Sequence, residues 1–260
     1  VTAAFRIVIP ARHASARLPG KPLLPLAGKP MIQWVHERAR GCGAAEVVVA
    51  TDDARIAAVA TGFGADVAMT SSSHETGTDR IAEVAAQRGW SPDDLVVNLQ
   101  GDEPLMPSAL VRQVAALLAR HATADIATLA APLAGLEAFL DPNVVKVVTA
   151  LSGRALYFSR APIPWNRDAA PQGLASQRAC DGARRHIGLY AYRVAALRRL
   201  AGLAATRLER LEKLEQLRAL EHGLDIRVED ASQLPGPDVN TAADLERVAA
   251  LLAASPGAAP

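Results

Sequence analysis

Directly after a short β-branched stretch the chain reads Pro10-Ala11-Arg12-His13-Ala14-Ser15-Ala16-Arg17-Leu18-Pro19-Gly20-Lys21-Pro22. A loop leaving a strand of a parallel sheet offers unpaired backbone N–H groups, and Arg12 and Arg17 add guanidinium groups able to clamp phosphate oxygens. Lysine occurs only at positions 21, 29, 146 and 213, the other basic residues being arginine. A lysine inside a glycine-containing loop of such a chain marks a place that needs a compact point charge. The chemistry implied is that of a triphosphate held by Arg12 and Arg17, with Lys21 against the α-phosphate, where charge redistributes during transfer. The spacing matches neither a dinucleotide fingerprint nor a Walker loop, and on spacing alone a solvated basic loop is an equally good reading.

A second segment, Asn98-Leu99-Gln100-Gly101-Asp102-Glu103-Pro104, follows the apolar run Leu95 to Leu99. A carboxylate just beyond a buried strand can bind Mg²⁺, which takes a few protein oxygens and completes its shell with phosphates and water. Gly-Asp is also a common turn pair. The turn reading loses ground because the acidic pair follows an apolar strand at the sheet edge where ligands bind.

These residues need a scaffold, and the hydrophobic pattern supplies one. Phe5 to Pro10, Glu46 to Ala50 and Leu95 to Leu99 are β-branched runs suited to strands buried on both faces. Helical patterns lie between them: Met31, Ile32, Val35 and Ala39; Ile56, Val59 and Ala60, ending near Gly62; Ile81, Val84 and Ala85, with Gly89 as the stop. This order predicts an α/β fold, a doubly wound and mostly parallel sheet that binds its ligands at the carboxyl ends of the strands. After a helix over residues 108–121 the rhythm changes. Val144 to Thr149 and Leu156 to Ser159 flank Ser152-Gly153 as an antiparallel hairpin, and Ile187 to Tyr192 is a third strand candidate. The expectation is one domain over residues 1–252, with a small antiparallel insertion within 143–193 that covers the substrate site and serves in dimerisation. Leu208, Leu211, Leu214, Leu217 and Leu220 recur every third residue, predicting one helix enclosed on several sides. Thr241 and Asp244 read as a capping box for a last helix, and residues 253–260 as a frayed tail.

Composition excludes several classes. A net charge of +1 lacks the basic excess of a general nucleic-acid binder. Two cysteines, Cys42 and Cys180, without a C-x-x-C pair suggest neither a zinc site nor a disulfide framework. No apolar run reaches the roughly 18 residues that a membrane span needs, and the N-terminus lacks signal-peptide character, so membrane insertion is not expected and a cytoplasmic location is.

The two loops, taken with T-G-T-D-R at 76–80, L-Y-F-S-R at 156–160, R-H-I-G-L-Y at 185–190 and L-E-Q-L-R at 214–218, resemble the 3-deoxy-manno-octulosonate cytidylyltransferases, bacterial enzymes of lipopolysaccharide assembly. The likeness runs from Phe5 to about Leu252 and lifts the phosphate-loop reading well above the basic-loop one. It implies a nucleotidyltransferase-like fold, CTP and 3-deoxy-D-manno-octulosonate (Kdo) as substrates, Mg²⁺ as cofactor and a homodimer. It further implies that Pro10, Ala11, Arg12, Ser15, Arg17, Lys21, Thr78 and Arg80 hold the nucleotide, with Lys21, Asp102 and Arg12 catalytic. Gln100, Arg160, His186, Tyr190, Glu215 and Gln216 would hold the sugar acid. Taken alone, His186 reads as a packed strand histidine, and Glu215 and Gln216 as a polar helix face. In the family a V-D-T segment offers a second metal carboxylate; here it is Val239-Asn240-Thr241. The metal ligands expected are thus Asp102 and Asn240, whose amide oxygen can coordinate without charge, with Asp238 as a substitute. Alternative readings are a cytidylyltransferase for sialic acid or 8-amino-Kdo, and a nucleotide-binding module without catalysis.

Overall fold

The computed structural model describes residues 4–13, 18–170 and 172–254. Ser15 and Arg17 of the phosphate loop, and the tail from Ser255, lie outside the described residues. The chain begins with strand β1 (Phe5–Ala11), a two-residue ribbon of β2 (Pro25–Leu26) and β3 (Lys29–Pro30), and helix α1 (Met31–Arg40). There follow β4 (Glu46–Thr51), α2 (Ala54–Gly62), β5 (Asp66–Met69), α3 (Gly77–Gln87), β6 (Leu95–Asn98), α4 (Ser108–Arg120), β7 (Ile126–Pro132) and α5 (Leu136–Leu140). The hairpin β8 (Lys146–Thr149) and β9 (Ala155–Ser159) leads to β10 (Arg184–Arg193) and α6 (Val194–Ala201). The chain ends with α7 (Arg207–Glu212), α8 (Gln216–Glu221), β11 (Ile226–Asp230) and α9 (Ala242–Ala254).

One sheet runs in the order β11-β7-β10-β6-β1-β4-β5, with β8 and β9 attached beside β10. Neighbouring strands from β6 to β5 are parallel, and β10 runs against both β6 and β7. Alternation along β1 explains the two layers. Ile7 and Ile9 face a core shared with Ile32 and Val35 of α1, Ile56 of α2 and Leu110 and Val114 of α4. Val8 faces the opposite core, with Ile81 and Val84 of α3, Leu197 of α6 and Leu217 of α8. A sheet so covered on both sides requires strands with apolar central positions, which Ile7 to Ile9, Val47 to Ala50 and Leu95 to Val97 supply.

The mostly parallel α/β fold agrees with the sequence reading, as do the β8–β9 hairpin and the last capping box, where Asp244 N–H donates to Thr241 Oγ1 at 3.2 Å and Thr241 N–H to the Asp244 carboxylate at 2.9 Å. Two elements differ. The third strand of the expected insertion, β10, is ten residues long and sits in the middle of the main sheet. The leucine-rich segment is two short helices, because Lys213 adopts φ +53° and turns the chain between α7 and α8. Each leucine thereby gains its own environment: Leu214 and Leu217 are buried and Leu211 is exposed. Among the described residues no helix is long and apolar enough to cross a membrane.

Candidate active site

After β1 the chain moves outward through β4 and β5, then returns to β6 on the other side of β1. The carboxyl ends of β1 and β6 therefore flank the point where the winding reverses, the place where open α/β sheets bind ligands. A cleft of about 500 Å³ opens there. Pro10, Ala11 and Arg12 enter it from the end of β1, Gln100, Gly101 and Asp102 from the end of β6, Gly77 and Arg80 from α3, and Asn240 from the segment before α9. Gly101 permits this convergence, since a Cβ there would lie 3.0 Å from the Pro10 carbonyl oxygen.

Lys21 opens a short 3-10 turn (Lys21–Leu23) behind Gly20, which takes φ +68°. That left-handed residue aims the lysine inward. Its Nζ reaches Asp102 Oδ2 at 2.6 Å and the Val239 carbonyl oxygen at 2.8 Å. Val239 N–H in turn donates to the Asp102 carbonyl at 3.0 Å, so the two metal-segment candidates are stitched together by backbone. Asn240 Nδ2 donates to Asp238 Oδ2 in a short hydrogen bond. Next to Asp102, the Glu103 carboxyl is pushed up to about 8 by burial and by the Asp102 and Asp238 charges, and its Oε2 is buried without a hydrogen-bond partner. The cleft thus joins the Lys21 ammonium, the Asp102 carboxylate and the Asn240 amide. Among the described residues no group of three or more His, Cys, Asp or Glu forms a metal cage. Asp102 and Asn240 nonetheless fit a divalent cation of the kind that keeps water and phosphate ligands, and the Lys21 ammonium on Asp102 marks the position as one that favours positive charge.

The opposite wall is the start of α3. Thr76 caps this helix reciprocally with Asp79, leaving the Gly77 end open to the cleft as a favourable place for phosphate. Arg80 is buried, bonded to Thr70 Oγ1 and 3.3 Å from Asp52 Oδ2. His74, Glu75 and Thr76 also line the cleft, and so does Pro22. Sequence reasoning passed over His74 and Glu75, although they directly precede T-G-T-D-R. His74 is anchored by Glu83 at 2.5 Å. Burial raises the Glu83 carboxyl, but hydrogen bonds from Ser71 N–H and His74 outweigh it and hold it below its ordinary value.

A model of the family described as Cytidylyltransferase matches residues 6–226. The chain belongs to this family. It is 57% identical over 250 residues to the 3-deoxy-manno-octulosonate cytidylyltransferase of Thioalkalivibrio sulfidiphilus, covering 96% of this chain and 99% of that protein. It is 54% identical to the protein of the same name from Pseudomonas fluorescens, covering 98% and 100%. Among solved structures, a CMP:2-keto-3-deoxy-manno-octonic acid synthetase complexed with CTP superposes with a TM-score of 0.86 at 42% identity, covering 97% of this chain and all of that one.

In this cytidylyltransferase the residues expected to face the nucleotide and metal largely meet in one cleft: Pro10, Ala11, Arg12, Lys21, Arg80, Asp102 and Asn240 line it together. Thr78 is placed differently. It is buried and donates to Glu215 Oε2 at 2.8 Å, behind the cleft wall. Of the residues expected on the sugar side, Gln100 lies in the cleft, while Tyr190, Glu215 and Gln216 line a separate cavity of about 40 Å³ with Tyr192. Burial raises the Glu215 carboxyl, and its Oε1 is buried without a hydrogen-bond partner, 4.0 Å from Arg218 Nη2. An aromatic column links the cavity to the hairpin: Tyr192 stacks on Tyr190 at 5.8 Å, Tyr190 meets His186 at 5.3 Å, and His186 meets Phe158 edge-on at 5.0 Å. Arg160 follows β9, its Nε donating to the Glu212 carbonyl at 2.6 Å and Nη1 to the Pro142 carbonyl at 2.9 Å. Its guanidinium is held by backbone oxygens and not by a carboxylate.

Proposed function

We propose that this cytidylyltransferase moves the CMP group of CTP onto Kdo, giving CMP-Kdo and diphosphate for lipopolysaccharide biosynthesis. The observation that supports this above all others is the Lys21 ammonium resting on Asp102 between the ends of β1 and β6, in a cleft whose walls are an arginine and an open helix N-terminus. The anomeric hydroxyl attacks the α-phosphorus in line, the bond to the bridging oxygen breaks, and diphosphate leaves with the electron pair. Arg12 and the Gly77 end of α3 hold the phosphate oxygens, and Lys21 turns from Asp102 toward the α-phosphate as charge moves off it. Asp102 and Asn240 would hold Mg²⁺, with Asp238 orienting the amide through the bond it already accepts. When bound, the metal lowers the pKa of the attacking hydroxyl and neutralises the leaving diphosphate.

The sugar acid lies between the cleft and the aromatic column, where Gln100, Arg160, His186, Tyr190, Glu215 and Gln216 offer hydrogen bonds. Arg160 meets its carboxylate, since its guanidinium is anchored by backbone carbonyls and forms no ion pair among the described residues. We further infer a homodimer through the hairpin region. Leu151 and Leu156 of the hairpin and Leu211 of α7 are exposed apolar residues around β9, which among the described residues pairs with β8 alone. Release of diphosphate, measured with a panel of sugar acids and all four nucleoside triphosphates, tests the reaction. The expected result is turnover with CTP and Kdo above every other pair. Preference for sialic acid or 8-amino-Kdo, or nucleotide binding without turnover, overturns it in favour of one of the alternatives.

A further inference from the structure

Strand β10 carries an irregularity where it crosses β7. Ile187 pairs with Leu129, but the next β7 residue, Thr128, pairs with Tyr190, so Gly188 and Leu189 bulge between them. The side chain of Thr128 is buried beneath this bulge. Its Oγ1 lies 3.0 Å from the Ile187 carbonyl oxygen, 2.9 Å from the Leu189 carbonyl oxygen and 2.9 Å from His186 Nε2. A threonine hydroxyl has one proton to give. Carbonyl oxygens only accept, so turning that proton toward the imidazole would set the hydroxyl's lone pairs against both of them. The proton therefore goes to the carbonyls, and the imidazole must be the donor of the third contact.

We infer that Thr128 is a positioning residue: it holds His186 as the neutral tautomer protonated at Nε2, leaving Nδ1 to accept a hydrogen bond from a hydroxyl of the sugar acid. Among the described residues Nδ1 has no hydrogen-bond partner. The ring also packs edge-on against Phe158 at 5.0 Å and against a tilted Tyr190 ring at 5.3 Å. Burial lowers the ring's pKa to about 3, in keeping with a ring that stays neutral. A neutral acceptor is matched to a hydroxyl and gives nothing to a carboxylate, which assigns the polyol part of the substrate to β10 and leaves the carboxylate to Arg160. This inference rests on the proposed role of His186 at the sugar acid.

The test uses the full chain labelled with ¹⁵N at histidine, the His186 resonances being identified by their loss in His186→Gln. Long-range ¹H–¹⁵N spectra of the wild type should show one neutral ring protonated at Nε2. In Thr128→Val this pattern should give way to a mixture of tautomers, and the Michaelis constant for Kdo should rise roughly fivefold to tenfold, the worth of one hydrogen bond, with a smaller change in kcat. Thr128→Ser should restore both. A wild-type ring protonated at Nδ1, or an averaged one, overturns the inference without a variant being needed, and so does an unaltered tautomer in Thr128→Val. An altered tautomer with unchanged Kdo constants in both Thr128→Val and His186→Gln overturns the sugar contact. Failure of the wild type to release diphosphate from CTP and Kdo is a different result, and tells against the proposed reaction itself.

Discussion

Lys21 occupies a slot bounded by Asp102 Oδ2 and the Val239 carbonyl, with room for a compact ammonium. Lys21→Ala should lower kcat by about 10²–10³-fold, with a smaller effect on the CTP Michaelis constant, because the charge acts mainly in the transition state. Lys21→Arg should recover little, the planar guanidinium being too wide for that slot. Steady-state kinetics with diphosphate detection read both. At the metal segment, Asn240→Asp should lower the Mg²⁺ concentration giving half-maximal rate, since hard cations respond to ligand charge. Asp238→Ala tests the substitute: loss of activity there, with no effect of Asn240→Asp, would move coordination to Asp238. His186 has a pH signature in stability. Its folded pKa is about 3 against an ordinary 6.5, so between these values the unfolded chain binds more protons. Its contribution is complete above pH 6.5 and shrinks as pH falls toward 3. The thermal midpoint should therefore drop less from about pH 7 to pH 5 in His186→Gln than in the wild type.

At the scale of elements, the joint between α7 and α8 decides where Glu215 and Gln216 stand. Arg218 of α8 grips Glu209 of α7 through Nε at 2.8 Å and Nη2 at 2.5 Å, with both side chains largely buried. Burial raises the Glu209 carboxyl, but the Arg218 and Thr206 hydrogen bonds outweigh it and hold it below its ordinary value. Removing one partner of such a pair strands the other, so Arg218→Ala should cost about 3 kcal/mol in chemical denaturation. Lys213 between the two helices sits in the left-handed region. Lys213→Gly should raise stability by about 0.5 kcal/mol, the steric relief slightly exceeding glycine's extra unfolded freedom.

For the whole molecule, exposed Leu151, Leu156 and Leu211 around one edge strand argue for a second copy of the chain. Light scattering should then give a mass near twice the 27.3 kDa of the chain, and Leu156→Lys together with Leu211→Lys should shift it toward the monomer. A monomeric wild type at all concentrations would remove the homodimer from the proposal.

The amino-acid sequence determined the parts of this protein that are local in the chain. Strands β1, β4 and β6 were legible because both faces of each are buried and their central positions are apolar. The loops after β1 and β6 were legible as chemistry because Arg12, Gln100 and Asp102 follow those strands directly and Lys21 stands in the glycine-containing loop after β1. The family resemblance added Arg160, and also His186, Glu215 and Gln216, which taken alone looked structural. Only tertiary structure decided what comes together across distance. Lys21 meets Asp102 from 81 residues away and Val239 from 218, and no periodicity encodes such pairings. The leucine repeat read as one helix because lysine rarely takes a left-handed conformation, which Lys213 adopts between α7 and α8. The place of β10 inside the main sheet, and the bulge that brings Thr128 to His186, depend on ladder register between strands more than fifty residues apart. Register is set by which faces must be buried together, a property of the assembled sheet that no single strand holds.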